Sequence, residues 1–353
     1  MQVYLRVAEY IWFFRRQFIL SVICAVIVSL FWAVNLSIAF PIVKVLFEND
    51  SIHAYVDSEI AKYETEIEKE NLAMAALGPS MFTGIRFLIG ALIVLPFAVF
   101  EWRRLRAENI HFDRTDLLIG LGLGGILFFG ALCQQTGMVT TTVSNAGFLT
   151  ALYVPIVPAL VWIFQGTRPH ISLWPALVLT VGGTWLLGGG ELSNFNSGDV
   201  WVITGTLFWA AHILVIGHAA DRKAAPLVVA EMQFLVCGVL ACTWGLATEP
   251  FEIANAYAVA WPIAYSGVLS VGIAFTLQVV AQRYTPPSDA AILMSGEMLV
   301  AAVAGAIYLG EQLSLMQWLG GVMILVAIII IQIAPMIYSA NARNAMDKAQ
   351  RVL

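Results

Sequence analysis

An all-α integral membrane fold of ten transmembrane helices in two inverted five-helix repeats is what the sequence predicts. Three observations point there: a charge-poor composition, apolar stretches recurring at membrane-crossing length, and an internal repeat that splits the chain into two halves. Of the 353 residues, 60% are hydrophobic and 12% charged, against about 25% charged in a soluble globular chain. Too few polar side chains remain to cover a surface in water. The net charge of −5, with no basic patch, excludes nucleic acid as a partner.

Apolar windows and their polar punctuation place the spans near 18–40, 79–100, 117–138, 143–164, 171–189, 199–219, 226–246, 258–281, 287–308 and 315–337. The first is a retained span, because its apolar run continues from Phe18 to Phe40 without a small-residue cleavage site. Cys24, Cys133, Cys237 and Cys242 all lie in apolar stretches and show no metal or disulfide spacing, so they are read as small core hydrophobes.

The loops alternate in charge as the positive-inside rule requires. One side collects Arg6, Arg15 and Arg16, then Arg103, Arg104, Arg106 and Arg114, Arg168, Arg222 with Lys223, Arg283, and Arg343, Lys348 and Arg351, while the other holds only Lys44, Lys62 and Lys69. The basic side is the cytoplasm, which predicts a multi-pass protein of the cell (inner) membrane with both termini cytoplasmic.

Residues 144–178 reappear 144 positions later, with Ser144 on Ser288, Asn145 on Asp289, Ala146 on Ala290, Gly166 on Gly310, Trp174 on Trp318 and Val178 on Val322. Gln134 falls on Gln278 at the same spacing. At 147, Pro79 meets Pro226 and Phe87 meets Phe234; at 177, Leu30, Phe31, Trp32 and Ala33 meet Leu207, Phe208, Trp209 and Ala210. An odd number of spans per copy forces the second half to insert upside down, the architecture of alternating-access carriers. The organisation expected is an N-terminal span plus acidic external segment over 1–70, the remaining spans of the first repeat over 71–190, the second repeat over 198–337, and a cytoplasmic tail over 338–353. Between Glu48 and Glu70, Ile52, Val56, Ile60, Tyr63 and Ile67 recur at helical spacing, which reads as an amphipathic helix outside the membrane.

The run Ser144-Asn145-Ala146-Gly147-Phe148-Leu149-Thr150 with Tyr153, together with Gly296-Glu297 and Gly310-Glu311 in the second half, resembles the EamA-like branch of the drug/metabolite transporter superfamily over residues 71 to about 335. The resemblance implies ten helices, a central cavity between halves, and export of small metabolites such as amino acids. Before residue 71, Arg15-Arg16-Gln17-Phe18, Phe31 to Asn35, Pro41 and Leu46-Phe47-Glu48 are similar to the start of an ABC exporter membrane domain. No G-x-x-x-x-G-K-[ST] phosphate loop follows, so no ATPase engine is expected; a fused or substituted first span accounts for the start.

Polar groups inside hydrocarbon are costly and carry a functional hypothesis by default. Glu297 lies eight residues past Asp289, about 12 Å along a helix and so near mid-bilayer; Tyr153 is its mate in the repeat. A midplane carboxylate can bind an amine-bearing substrate or take up a proton, and it can also be a structural acid. Arg86, in the second span, can meet a substrate carboxylate through its planar fork, or pair with a carboxylate such as Glu297, the reading slightly favoured because an unpaired cation in hydrocarbon is unstable. Trp32 with Asn35, and Trp209 with His212, set an aromatic and a hydrogen-bonding group three residues apart on one helix face. Gln134 and Gln278 are candidates by symmetry, and Asn145 and Asp289 stand at span starts, as caps or as ligand contacts. Glu231 sits close to a span end.

The function expected is a secondary transporter that exports small metabolites, amino-acid-like or amphiphilic, by alternating access, with the lipid bilayer as its solvent and protons as the candidate coupling ion. No cofactor or metal is called for. The alternatives are an uncoupled channel-like facilitator and an inactive fusion product or non-transporting membrane scaffold. A membrane enzyme is disfavoured, since H-E-x-x-H and G-x-S-x-G are absent and no compact His/carboxylate cluster appears.

Overall fold

The computed structural model describes residues 77–141, 143–190, 195–308 and 313–350. Trp32, Asn35, Gly310, Glu311 and the acidic 48–70 segment lie outside them. All regular structure among the described residues is helical. Six helical stretches are long and apolar enough to cross a membrane: Pro79–Ala107, Arg114–Met138, Asn145–Gln165, Ser197–Ala220, Pro226–Thr248 and Ala260–Gln282. Leu173–Leu187 and Leu315–Ile331 are shorter apolar helices.

Local chemistry sets the helix starts. Helix α1 (Pro79–Ala107) opens with proline in its first turn, where the missing N–H costs nothing because that donor has no intrahelical partner. Helix α2 (Arg114–Met138) begins at a capping box: Asp113 accepts from the Asp116 N–H at 2.9 Å and Asp116 accepts from the Asp113 N–H at 2.9 Å.

The fourth predicted span, 143–164, is interrupted. Helix α3 (Val143–Ala151) passes into helix α4 (Tyr153–Gln165) through Leu152, which keeps a right-handed helical backbone but bonds back to the Leu149 carbonyl at 3.3 Å. Pro155 explains the break, since it has no N–H to offer the Ala151 carbonyl. Helices α5 (Leu173–Leu187), α6 (Ser197–Arg222) and α7 (Pro226–Thr248) follow, α7 again with proline in its first turn.

Short helix α8 (Ile253–Ala258) precedes a composite span: α9 (Ala260–Tyr265), a π-helical segment (Ser266–Phe275) and α10 (Thr276–Gln282). The π segment contains Gly267 and Gly272 and packs against α1; such widened turns recur at functional sites. The ninth predicted span is interrupted like the fourth, as α11 (Pro287–Met294) and α12 (Gly296–Tyr308). Here there is no proline: the Ser295 hydroxyl donates to the Ile292 carbonyl at 2.6 Å, occupying an acceptor near the helix end, and the flexible Gly296 follows. Helix α13 (Leu315–Gln350) continues past the predicted end at 337.

The most extensive pairings are α1 with α7, α2 with α6, and α5 with α13. Buried side chains such as Phe87, Leu123, Leu127, Ile213, Ile216 and Phe234 form one continuous core. Large apolar side chains also cover the outside: Leu92 is 68% exposed, Phe100 73% and Phe164 73%. A surface of that kind is unfavourable in water and native in a bilayer.

Two acids pin the α1–α7 pair at its two ends. Glu249, just past α7, accepts from the Ser80 and Met81 N–H groups at 2.8 and 3.0 Å, at the start of α1. Glu101, late in α1, accepts from the Leu227 and Val228 N–H groups at 2.8 and 3.0 Å, at the start of α7. Neither helix has a side-chain cap of its own at that end, so each borrows an anion from its partner. A carboxylate so placed satisfies orphan donors and the positive helix end together, worth about 0.3–1 kcal/mol and more when partly buried.

Candidate functional site

Glu297 and Tyr153 occupy matching positions in the two broken spans. Each belongs to the first turn of the second fragment, Glu297 in α12 and Tyr153 in α4. Tyr153 is 3% exposed and its hydroxyl has no hydrogen-bond partner. Both junctions stay in the right-handed helical region, Leu152 at φ −61°, ψ −11° and Ser295 at φ −61°, ψ −18°, so each is a local irregularity within a span, and the acid and the phenol follow it directly.

The expected pairing of Arg86 with Glu297 is not formed. Among the described residues the ion pairs lie at helix ends, joining Arg104 to Glu108 and Arg222 and Lys223 to Asp113 and Asp116. Packing explains the correction: α1 lies mainly against α7 and the π segment, whereas α12 lies against α13, α5 and α11. Arg86 is instead stacked between phenylalanines, with its guanidinium carbon 5.4 Å from the Phe82 ring centre and 5.5 Å from that of Phe87. Its Nε is buried without an acceptor, and cation–π attraction offsets part of the cost.

From Phe87 an aromatic cluster runs through the bundle. Its ring stands 6.0 Å from Phe234 on α7 and 6.0 Å from Phe275 on the π segment. Phe275 is stacked on Trp209 of α6 at 5.8 Å, and Trp209 meets His212 edge-on at 6.1 Å. The expectation that Trp209 and His212 share a helix face therefore leads into a packed interior. The His212 Nε2 is 2.8 Å from the Gln233 side-chain oxygen across to α7. Trp209 Nε1, His212 Nδ1 and Gln233 Nε2 have no further partner.

The remaining candidates separate. Gln134 donates to Thr150 at 3.2 Å, and Gln278 is buried with its amide nitrogen unpartnered. Asn145 donates to Asp199 at 3.3 Å. Asp199 also accepts from the Thr141 hydroxyl and from the Asn196 N–H at 2.7 Å, tying the start of α6 to the α2–α3 turn. Asp289 lies in the first turn of α11 without making a side-chain cap there. Gln233, Phe275, the π segment and the Glu101 and Glu249 contacts were not identified from sequence. The Pro79–Pro226 match offered the one available signal for the last, since both prolines open helices whose first turns need an outside acceptor.

At the predicted cytoplasmic end, Arg222 reaches Asp116 at 2.5 Å and Asp113 at 3.2 Å. The Asp116 backbone N–H, and then the Arg222 and Lys223 charges, hold the Asp113 carboxyl below its ordinary range. The two carboxylates in turn raise Arg222.

Six apolar helices of membrane-crossing length, covered on the outside by large apolar side chains, define a multi-pass membrane protein. The model of the EamA-like transporter family matches residues 71–189 and again 196–333, and the chain belongs to that family. Similar proteins include an uncharacterised transporter of Archaeoglobus fulgidus, 29% identical over 264 residues, covering 74% of this chain and 79% of that one. The threonine/homoserine exporter RhtA of Escherichia coli strain K12 is 29% identical over 266 residues, covering 69% of this chain and 81% of its own. A solved crystal structure covers 75% of this chain and 93% of its own with a TM-score of 0.57 at 15% identity, a likeness of fold. The relatives in this family are transporters, not enzymes.

Proposed function

We propose that this protein exports a small amino-acid-like or amphiphilic metabolite by alternating access, with ten spans in two inverted halves rocking about a midplane site that contains Glu297. The observation that carries this reading is the matched pair of breaks, which presents Tyr153 and Glu297 at equivalent positions 144 residues apart in the chain. Two further facts support it. The family model matches twice in tandem, and among the described residues α1–α7 and α5–α13 each join helices that correspond in the two halves, while α2–α7 corresponds to the π segment with α1. The threonine/homoserine exporters among the similar proteins support an amino-acid-like cargo.

The test is transport in proteoliposomes, screened over amino acids with and without a pH gradient, comparing wild type with Glu297→Gln. If Glu297 couples protons to cargo, the variant exchanges substrate across the membrane but loses concentrative efflux and its pH dependence. If the carboxylate neutralises a substrate amine, binding itself weakens, by about tenfold or more for a charge-assisted bond in a dry site. Wild-type transport and pH response in a well-folded Glu297→Gln protein removes Glu297 from the cycle, and no movement of any cargo under any gradient favours the scaffold reading.

A further inference from the structure

Charge is concentrated at one end of the α1–α2 hairpin. The outward side of α1 is apolar through Leu92, Phe97 and Phe100, which are 68%, 61% and 73% exposed. One turn further it becomes basic, since Arg103 and Arg104 follow Phe100 by three and four residues and are both exposed. Helix α2 repeats the pattern from its other end: Arg114 is exposed, and Leu117 and Leu118, three and four residues on, are 51% and 56% exposed. Residues 108–113 join the two helices, which pack against each other. The arginines therefore end two neighbouring apolar stripes close to one level of the membrane, where hydrocarbon gives way to headgroups.

The acids nearby are engaged elsewhere. Glu101 accepts from the first N–H groups of α7, and Asp113 and Asp116 face Arg222 and Lys223. Glu108 meets Arg104 at 3.8 Å with both side chains more than half exposed, a weak contact. Arg106 lies over the Trp102 ring at 4.5 Å. Among the described residues Arg103 and Arg114 make no ion pair. The architecture does not call for arginine at this place either. At the spacing of 147 that relates α1 to α7, Arg103, Arg104 and Arg106 fall on Pro250, Phe251 and Ile253, and α7 has no base in its last turn.

We propose that Arg103, Arg104 and Arg114 form a docking rim for anionic phospholipids, with the guanidinium forks on the headgroup phosphodiester and the acyl chains along the exposed side chains of α1 and α2. A phosphodiester offers paired oxygens to a planar fork, and bases beside a bilayer draw acidic lipids to themselves. The occupant is a lipid because the arginines directly continue apolar stripes, which acyl chains cover and a free phosphate does not. This claim is independent of the cargo and of export.

The test is native mass spectrometry and thermal unfolding of the full-length protein in detergent, titrated with phosphatidylglycerol or phosphatidylcholine of equal chain length. Phosphatidylglycerol is expected to stay bound and to raise Tm more than phosphatidylcholine does. Arg103→Gln with Arg104→Gln should weaken phosphatidylglycerol by about 10- to 30-fold and leave phosphatidylcholine unchanged, and adding Arg114→Gln should weaken it further. Arg168→Gln removes an exposed base from the α4–α5 turn and should bind as wild type does. Arg103→Lys with Arg104→Lys keeps the charge without the fork and should fall between the two, which gives a second reading should the glutamine variant not fold. Equal binding of the two lipids, unchanged phosphatidylglycerol affinity in the triple variant, or an equal loss in Arg168→Gln overturns the rim. An equal rise in Tm with glycerol 1-phosphate also overturns it, by assigning the arginines to a free anion.

Discussion

Asp113 shows how a single residue can hold a helix start and an ion network together. Its carboxylate caps α2 through the Asp116 N–H and faces Arg222 at 3.2 Å and Lys223 at 3.9 Å. Because the folded protein holds this carboxyl below its ordinary value, the sign of the pH effect follows. The contribution is complete above about pH 4, where the unfolded carboxyl is also ionised, and is lost as pH falls through the lower folded value. Asp113→Asn should therefore unfold at lower temperature than wild type near neutral pH, and the gap should narrow in acid. A gap that stays constant from pH 7 to pH 3 would assign the effect to packing instead. Single residues were unevenly legible in the sequence. Glu297, Arg86 and Tyr153 stand out because charge and phenol are rare in hydrocarbon, whereas Gln233 looks like any glutamine until His212 is found across from it.

At the scale of elements, backbone contact decides which helices pair. Helix α5 crosses α13 where Gly183 and Gly320 face one another: a Cβ built on Gly183 would stand 2.7 Å from the Gly320 carbonyl oxygen, and one on Gly320 would stand 2.6 Å from that of Gly183. Backbone cannot step aside as a flexible side chain can, so a methyl group forces the two helices apart. Gly183→Ala should cost about 1–3 kcal/mol, the usual range for overpacking, measured as a lower unfolding midpoint in detergent. Gly125→Ala serves as the control, because nothing stands within 4 Å of its would-be Cβ. If both behave alike, the crossing is looser than the structure has it. The break between α3 and α4 has a legible cause in Pro155, whereas the break at Ser295 rests on one hydroxyl and a glycine, which in sequence are compatible with an unbroken helix.

Over the whole molecule, the proposed orientation rests on the charge pattern together with the packing of α2 and α6. The Arg222–Asp116 cluster joins the C-terminal end of α6 to the start of α2, and the Asp199 contacts join the other ends of the same pair. The two ends therefore lie on opposite faces of the bundle, and the positive-inside rule proposes the basic one as the cytoplasmic face. A C-terminal tag should be reached only from the cytoplasm, and a cysteine at Ser58 should label from outside in intact cells. External reactivity of the C-terminus would reject the proposed topology, together with the assignment of the ion cluster to the inner face.

Composition alone determined the solvent of this protein: a chain 60% hydrophobic and 12% charged cannot cover itself with water-facing groups. Apolar period and length located the helices, and the recurrences at 144 and 147 indicated which segments correspond. These are properties of the chain read along its length, and hydrocarbon enforces them span by span because each helix must satisfy its own backbone. Partnership was decided only by tertiary structure. Arg86 was expected beside an acid and lies between phenyl rings, because the helix that carries Glu297 packs elsewhere. Glu101 and Glu249 cap each other's helices because α1 and α7 run antiparallel in contact, a fact about two segments more than a hundred residues apart.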